Sequence, residues 1–228
     1  MALTATDVAN MALLNVGSAN KIAAGALATE NTKEARMCNA KYGMARDQCL
    51  ADPRRDWTFG RKRAVLAASA NPVRDGFTYI YTLPSDVLHV RRIWNGFWEG
   101  EYPPEMEIPY RIEPDDAGTG RVLLCNVEPI TSEQPLLFYT RKMPNDSDID
   151  LWSNFFLEAV AWELASKLVM PSAVDVKSQA AAAKEAERFK LLAIWEDRSQ
   201  EKRTNLKAAD TFTRARRGGL TPVIPEIK

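Results

Sequence analysis

The 228-residue chain has one histidine and three cysteines. A single imidazole, His89, excludes any metal site built on two histidines, and any catalytic triad would have to use it. Cys38, Cys49 and Cys125 are an odd number with no CxxC spacing, so neither a disulfide framework nor a zinc site built on cysteine pairs is supported. Long apolar runs are also missing. The longest stretch without a charge, Val8–Asn20, has 13 residues and three asparagines. A bilayer-spanning helix needs about 20 apolar residues. The opening Met1–Asp7 lacks the basic start of a secretory signal, so a soluble protein made in a cytosol is expected. Net charge is absent as well: thirty basic residues face thirty acidic ones. That argues against a nucleic-acid binder held by bulk charge.

The charge that is present lies in blocks. Residues 1–74 carry eleven basic and six acidic residues, net +5, whereas residues 75–150 carry six and fourteen, net −8. Residues 151–204 balance, and residues 205–228 have five basic against two acidic. Such segregation suits a chain that shows different faces to different partners.

Periodicity divides the chain similarly. Thr4-x-x-Asp7 resembles a capping box, and Gly17 is a stop for a first helix. Asn31-x-x-Glu34 predicts the start of a second helix that ends before Pro53. Its seam, Ala35, Cys38, Tyr42, Ala45 and Cys49, is lined mostly by small residues and admits a close neighbour. A short helix is expected over Arg61–Ala68. From Asn71 the period changes: Tyr79, Tyr81 and Leu83 alternate, Val87–Trp94 is a second strand-like run, Tyr110–Glu113 and Arg121–Cys125 flank a hairpin loop and Pro135–Tyr139 is another short run, which together predict about five strands. Asp150 reads as the N-cap of a third helix with an i, i+4 ladder of Trp152, Phe156, Val160, Leu164 and Leu168, and a fourth helix spans Val174–Arg203. The expected fold is α+β: a helical bundle in two halves, 1–70 and 150–204, around an inserted antiparallel β subdomain, 71–149. An extended C-terminal arm, 205–228, completes it.

Few constellations carry chemistry. Arg54, Arg55, Arg61, Lys62 and Arg63 surround Trp57 and Phe59, a composition able to grip phosphates and stack bases. The favoured alternative places Trp57 and Phe59 in the core with Trp152 and Phe156, because an unpacked Trp is costly. Asp115 and Asp116 precede a glycine-rich turn, Gly118-Thr-Gly120, that matches neither a calcium loop nor a phosphate loop. Carboxylates crowd Glu99–Glu113, but a glycosidase pair needs a set separation that sequence does not give. No cofactor or metal is implied. In the arm, Phe212, Leu220 and Ile224 among Arg214, Arg216 and Arg217 form the pattern of a segment that orders on a partner.

Taken in order, several segments resemble the head-to-tail adaptor family of tailed bacteriophages, called tail tubular protein A in short-tailed phages. They are Asp7–Gly17, Ala35-Arg36 with Tyr42 and Arg46-Asp47, Trp57-Thr-Phe59, and Tyr81-Thr-Leu-Pro84 with Asp86 and Val90. Tyr110-x-Ile-Glu113, Leu137-x-Tyr139 and Phe156-x-Glu-Ala-x-Ala161 continue the series. His89 stands where the family usually has Arg. The resemblance implies a structural, non-enzymatic virion protein: a ring, typically of twelve copies, docked beneath the portal protein and joined to the next tail (nozzle or tube) protein. The arm would engage the portal, and duplex DNA would pass through the lumen without sequence-specific binding. An anionic lumen would let the genome slide. Two other classes stay open: a nucleic-acid-binding packaging accessory using Arg54–Arg63, and a carboxylate-dependent cell-wall hydrolase.

Overall fold

The computed structural model describes residues 3–69, 76–94, 108–116, 118, 120–127, 135–168 and 175–200. The arm, 205–228, with its Phe212, Arg214, Arg216, Arg217, Leu220 and Ile224, lies outside them, as does most of the Glu99–Glu113 cluster. The chain is α+β, with helices and antiparallel sheets.

Helix α1 (Ala5–Asn15) starts where its capping box predicts: Thr4 Oγ1 accepts from Asp7 N–H, and the Asp7 carboxylate accepts from Thr4 N–H. It ends in a Schellman motif. Gly17, at φ +76°, donates to the Leu14 carbonyl while Ser18 N–H reaches the Leu13 carbonyl. Helix α2 (Lys33–Leu50) is capped by Thr32, one residue later than expected, because the Thr32 hydroxyl is in register with Ala35 N–H. Glu34 holds Asn20 instead, 2.8 Å away, and so tethers the connecting loop. The whole predicted seam of α2 is buried.

Helix α3 (Asn154–Leu168) is the hub, packed against α1, α2 and a long α4 (Asp175–Gln200). Leu157, Ala159, Val160, Ala161, Leu164 and Ala165 are all buried along it. Its N-cap is Ser153, whose Oγ accepts from Phe156 N–H, and not Asp150. Asp150 falls in a separate 3₁₀ turn, Asp146–Leu151, that Asn145 and Asp148 close with their own capping box. A short capped turn therefore intervenes where a direct helix start was expected. Of the fourth helix as expected, Val174 and 201–203 lie outside the described residues.

The β part departs from expectation at its start. Arg61–Ala68 is not a helix: it forms β1 (Arg61–Val65) and β2 (Ala67–Ala68). Helix preference there is worth only tenths of a kcal/mol per residue. A five-residue antiparallel ladder with β7 (Leu136–Arg141), from Arg61↔Thr140 to Val65↔Leu136, overrides it. The first strands thus precede the expected boundary at residue 71. The remaining strands are β3 (Tyr79–Thr82), β4 (Val87–Trp94), β5 (Tyr110–Pro114) and β6 (Arg121–Cys125). They form a three-stranded sheet in the order β1-β7-β4 and a four-stranded sheet in the order β2-β3-β6-β5. Leu66 alone separates β1 from β2, and its N–H bonds the Pro135 carbonyl as the chain passes between sheets. Leu66, Tyr81, Leu83, Val90, Ile93, Leu123, Leu137 and Tyr139 fill one core drawn from both sheets.

Candidate functional site

The segment 54–63 joins the two parts of the molecule. Trp57 is fully buried and its Nε1–H donates to the Cys49 carbonyl at 3.0 Å, just before α2 ends. Its ring stacks on Phe59 (centroids 5.6 Å apart) and meets Phe156 edge-on at 4.9 Å. Phe156 in turn contacts Phe59 at 5.0 Å and Trp152 at 5.1 Å. The structure thus brings Trp57, Phe59, Trp152 and Phe156 into one nest inside the helical core. A ring so enclosed is not a platform for a base.

The cations of the same segment have internal partners. Arg54 binds Asp52 and reaches Glu187 of α4 at 2.9 Å. Arg55 forms a buried ion pair with Asp197, which also accepts from Thr58. Arg61 pairs with Asp56 at 2.9 Å and Lys62 with Asp86 at 2.6 Å. Arg63 lies over the Phe138 ring, 5.0 Å from its centroid, and Arg92 lies 4.4 Å from the same ring. The cluster is a clasp between elements.

A chain of alternating charges continues the clasp. Beyond Glu187 comes Lys190, whose Nζ donates to Glu187 (2.9 Å) and Glu163 (3.0 Å); Glu163 also accepts from Lys167 at 2.9 Å. The line Asp52–Arg54–Glu187–Lys190–Glu163–Lys167 ties the end of α2 to α4 and α3. Burial opposes ionisation of Glu163, but hydrogen bonds from Lys167 and Lys190 prevail and hold its carboxyl below the usual range. The same contest, won by Arg54, lowers Asp52. Glu187 is lowered first by its Lys190 hydrogen bond. Burial disfavours the Lys190 ammonium, yet Glu187 and Glu163 keep it charged and raise its pKa.

A pH dependence follows with a definite sign. The folded-state pKa values of Asp52, Glu163 and Glu187 lie below their unfolded values, so the unfolded chain binds protons first as pH falls. Their stabilisation is complete above the unfolded carboxylate range, about pH 4, and is lost as pH drops through the lowered folded values. Urea midpoints measured between pH 7 and pH 3 should fall most steeply below about pH 4.5. Glu163→Gln should flatten that fall, and an unchanged slope in the variant would show that the line does not supply it.

Arg91 of β4 makes the second joint. It donates to Thr140 Oγ1 (2.8 Å), to the Asp52 carbonyl (3.1 Å) and to the Leu50 carbonyl (3.3 Å), with Asp56 3.8 Å away. Leu50 O is one of the carbonyls that the end of α2 leaves without a helical partner, so a cation is favoured there. Gly60 sits at the same joint, where a Cβ would come within 3.3 Å of Thr140 Cγ2. Neither Arg91 nor Lys190 stood out in the sequence. A signal for Lys190 existed: it continues the row of Ala182 and Ala186 at i+4 spacing, a cation inside an apolar stripe.

The other candidates hold structural places. Asp86, in the Leu-Pro-x-Asp segment, accepts from Lys62 and from the Tyr139 hydroxyl (2.9 Å), pinning the turn before β4 to β1 and β7. His89 is half-buried opposite Thr140, and burial, then Arg91, lowers its pKa, against the pull of Asp56. Asp115 shapes the β5–β6 hairpin: its N–H bonds the Gly120 carbonyl, and its carbonyl accepts from Gly118, at φ +67°. Glu113 is paired with Arg111 at 3.0 Å. All three thiols are buried, and burial pushes Cys49 up to about 12 and Cys38 up to about 11, far from a nucleophilic thiolate at neutral pH. Among the described residues no group of three His, Cys, Asp or Glu side chains is placed to hold a metal ion, and no helix is long and apolar enough to cross a membrane. No family model matches the chain, and no curated protein matches it.

Proposed function

We propose that the protein is a structural head-to-tail adaptor of a phage virion, acting without catalysis. Copies, twelve by the family resemblance, form a ring at the portal junction that joins the portal protein to the next tail protein and leaves a lumen for duplex DNA. The supporting observation is the use made of the chain's conspicuous residues. Trp57-Thr-Phe59, Arg54–Arg63, Asp86 and Phe156, which carry the resemblance or suggest chemistry, all hold the fold together: Trp57, Phe59, Arg54 and Arg55 tie the segment that leads into the β part to the helices, and Lys62, Arg63 and Asp86 tie strands within the β part. A two-part subunit joined in this way suits a coupling that transmits no chemistry. The internal pairing of Arg54–Lys62 disfavours the packaging-accessory reading, since phosphate binding would have to displace those carboxylates.

The arm provides the test. Residues 205–228 carry Phe212, Leu220 and Ile224 among Arg214, Arg216 and Arg217. Apolar anchors would fill pockets between portal subunits, the arginines would pair with portal carboxylates, and twelve copies would multiply a weak contact by avidity. Native mass measurement of the full chain mixed with its portal ring should give a complex with twelve added copies. Deleting 205–228 should leave the melting temperature unchanged and abolish that complex. A truncated chain that docks with near-normal affinity rules out the arm's role, and a full chain that never docks rules out the adaptor.

A further inference from the structure

The described surface carries two exposed apolar groups of opposite electrostatic surroundings. On α4, Leu191 and Trp195 are one helical turn apart and 56% and 72% exposed. A Trp side chain left this open forgoes the burial of most of its large apolar area. Basic residues outweigh acidic ones around the pair: Lys184, Arg188 and Arg198 are exposed on the same helix, Arg188 shared with Glu185 at 3.1 Å, while Glu187, one turn before Leu191, is already held by Arg54 and Lys190. The second group is the 3₁₀ knuckle before α3. Leu151 there is 53% exposed, beside exposed Asp150 and Asp146. Asp146 spends one carboxylate oxygen on Ala5 N–H, 3.1 Å away, which fixes the knuckle to the start of α1. Asp148, buried and paired with Arg141, fixes it from beneath.

One molecule does not bring the two together. Leu151 lines a hollow with Trp152, Asn154 and Glu196, so the knuckle lies against the Glu196 flank of α4. At 100° per residue Leu191 points about 140° and Trp195 about 100° away from Glu196, and neither lines the hollow. The Leu191 flank is the one that carries Glu187 to Arg54. An apolar knuckle rimmed by carboxylates and an apolar helix face where cations outnumber unpaired carboxylates, on different flanks of one chain, are complementary between copies.

We infer that the knuckle Asp146–Leu151 of one copy docks on the Leu191–Trp195 face of α4 of a second copy, as a head-to-tail contact. Leu151 packs on Trp195, while Asp146 and Asp150 meet the cations of the helix. Such a contact is heterologous and leaves one unused half at each end, so it propagates and closes into a ring when the rotation per copy allows. It rests on the proposed ring for its closed form.

Each half can be disabled without touching the core. Trp195→Ser removes the helix face, and the pair Asp150→Lys with Leu151→Ser removes the knuckle; all three positions are exposed, so each variant should melt like the wild type. Sedimentation velocity of the full chain up to about 1 mM should show wild-type self-association, weakened about thirtyfold or more by either change, the effect of losing a central aromatic anchor. The decisive result is the mixture. Each variant retains the half that the other lacks, so the two together should form one-to-one dimers that do not grow. Wild type that stays monomeric throughout overturns the contact, including the case in which deleting 201–228 then switches association on, which would show the arm covering Trp195. Wild type that associates regardless of both changes also overturns it, yet leaves the ring standing with its contact elsewhere. Failure of the adaptor itself reads out separately, as no mass added to the portal.

Discussion

Trp57→Ala is expected to lower the unfolding free energy by about 3–5 kcal/mol, the cost of emptying a large aromatic site in a packed core. The side chain is fully buried, so its removal opens a cavity between Phe59 and Phe156. The Cys49 carbonyl loses its indole donor too, at the end of the helix that must meet the β part. For a chain of this length the loss corresponds to a fall of roughly 6 to 20 °C in melting temperature. Trp57→Phe should recover much of the packing but not the hydrogen bond, and fall between the two. Urea unfolding at constant m-value measures both. A Trp57→Ala protein as stable as wild type but weaker on single-stranded DNA would instead make this residue a stacking surface.

Lys190→Met is expected to destabilise by about 3 kcal/mol, the lower end of the range for breaking a buried ion pair. The Lys190 side chain is only 9% exposed and Glu163 14%, so removing the ammonium leaves Glu163 desolvated with Lys167 alone. Glu187 is half exposed and adds little of its own. The charge-deleting pair, Lys190→Met with Glu163→Leu, should cost far less than the two single changes added together, because no buried charge is then stranded. A double-mutant cycle from urea midpoints gives the coupling. Strictly additive single effects would mean that the two groups do not feel each other in the folded protein.

The segments legible in the sequence are those whose cause is local. The Thr4–Asp7 box, the Gly17 stop and the α2 seam each depend on side chains within one or two helical turns, and the structure places them where spacing indicates. The strands at Val87–Trp94 and Arg121–Cys125 are equally visible as short apolar runs beside turn residues. One misplaced feature was set at long range and another by a competing local turn. Arg61–Val65 is extended because β7, about 75 residues later in the chain, offers it a ladder. Asp150 lost the cap of α3 to Ser153 because the 3₁₀ turn claims the preceding residues.

Composition, capping and periodicity act within a few residues of their cause, so the α+β class, the cap and stop of α1 and the buried seam of α2 could be read from the chain alone, as could the lack of a two-histidine or cysteine-pair motif. What the charges do is visible only in the folded chain. Arg54 meets Glu187 across 133 residues, Arg55 meets Asp197 across 142, and Arg91 reaches the end of α2 from β4. Spacing along a chain carries no record of such pairs, because a charge finds its partner through the packing of apolar faces around Trp57 and α3, which brings distant segments within a few ångströms before any ion pair forms.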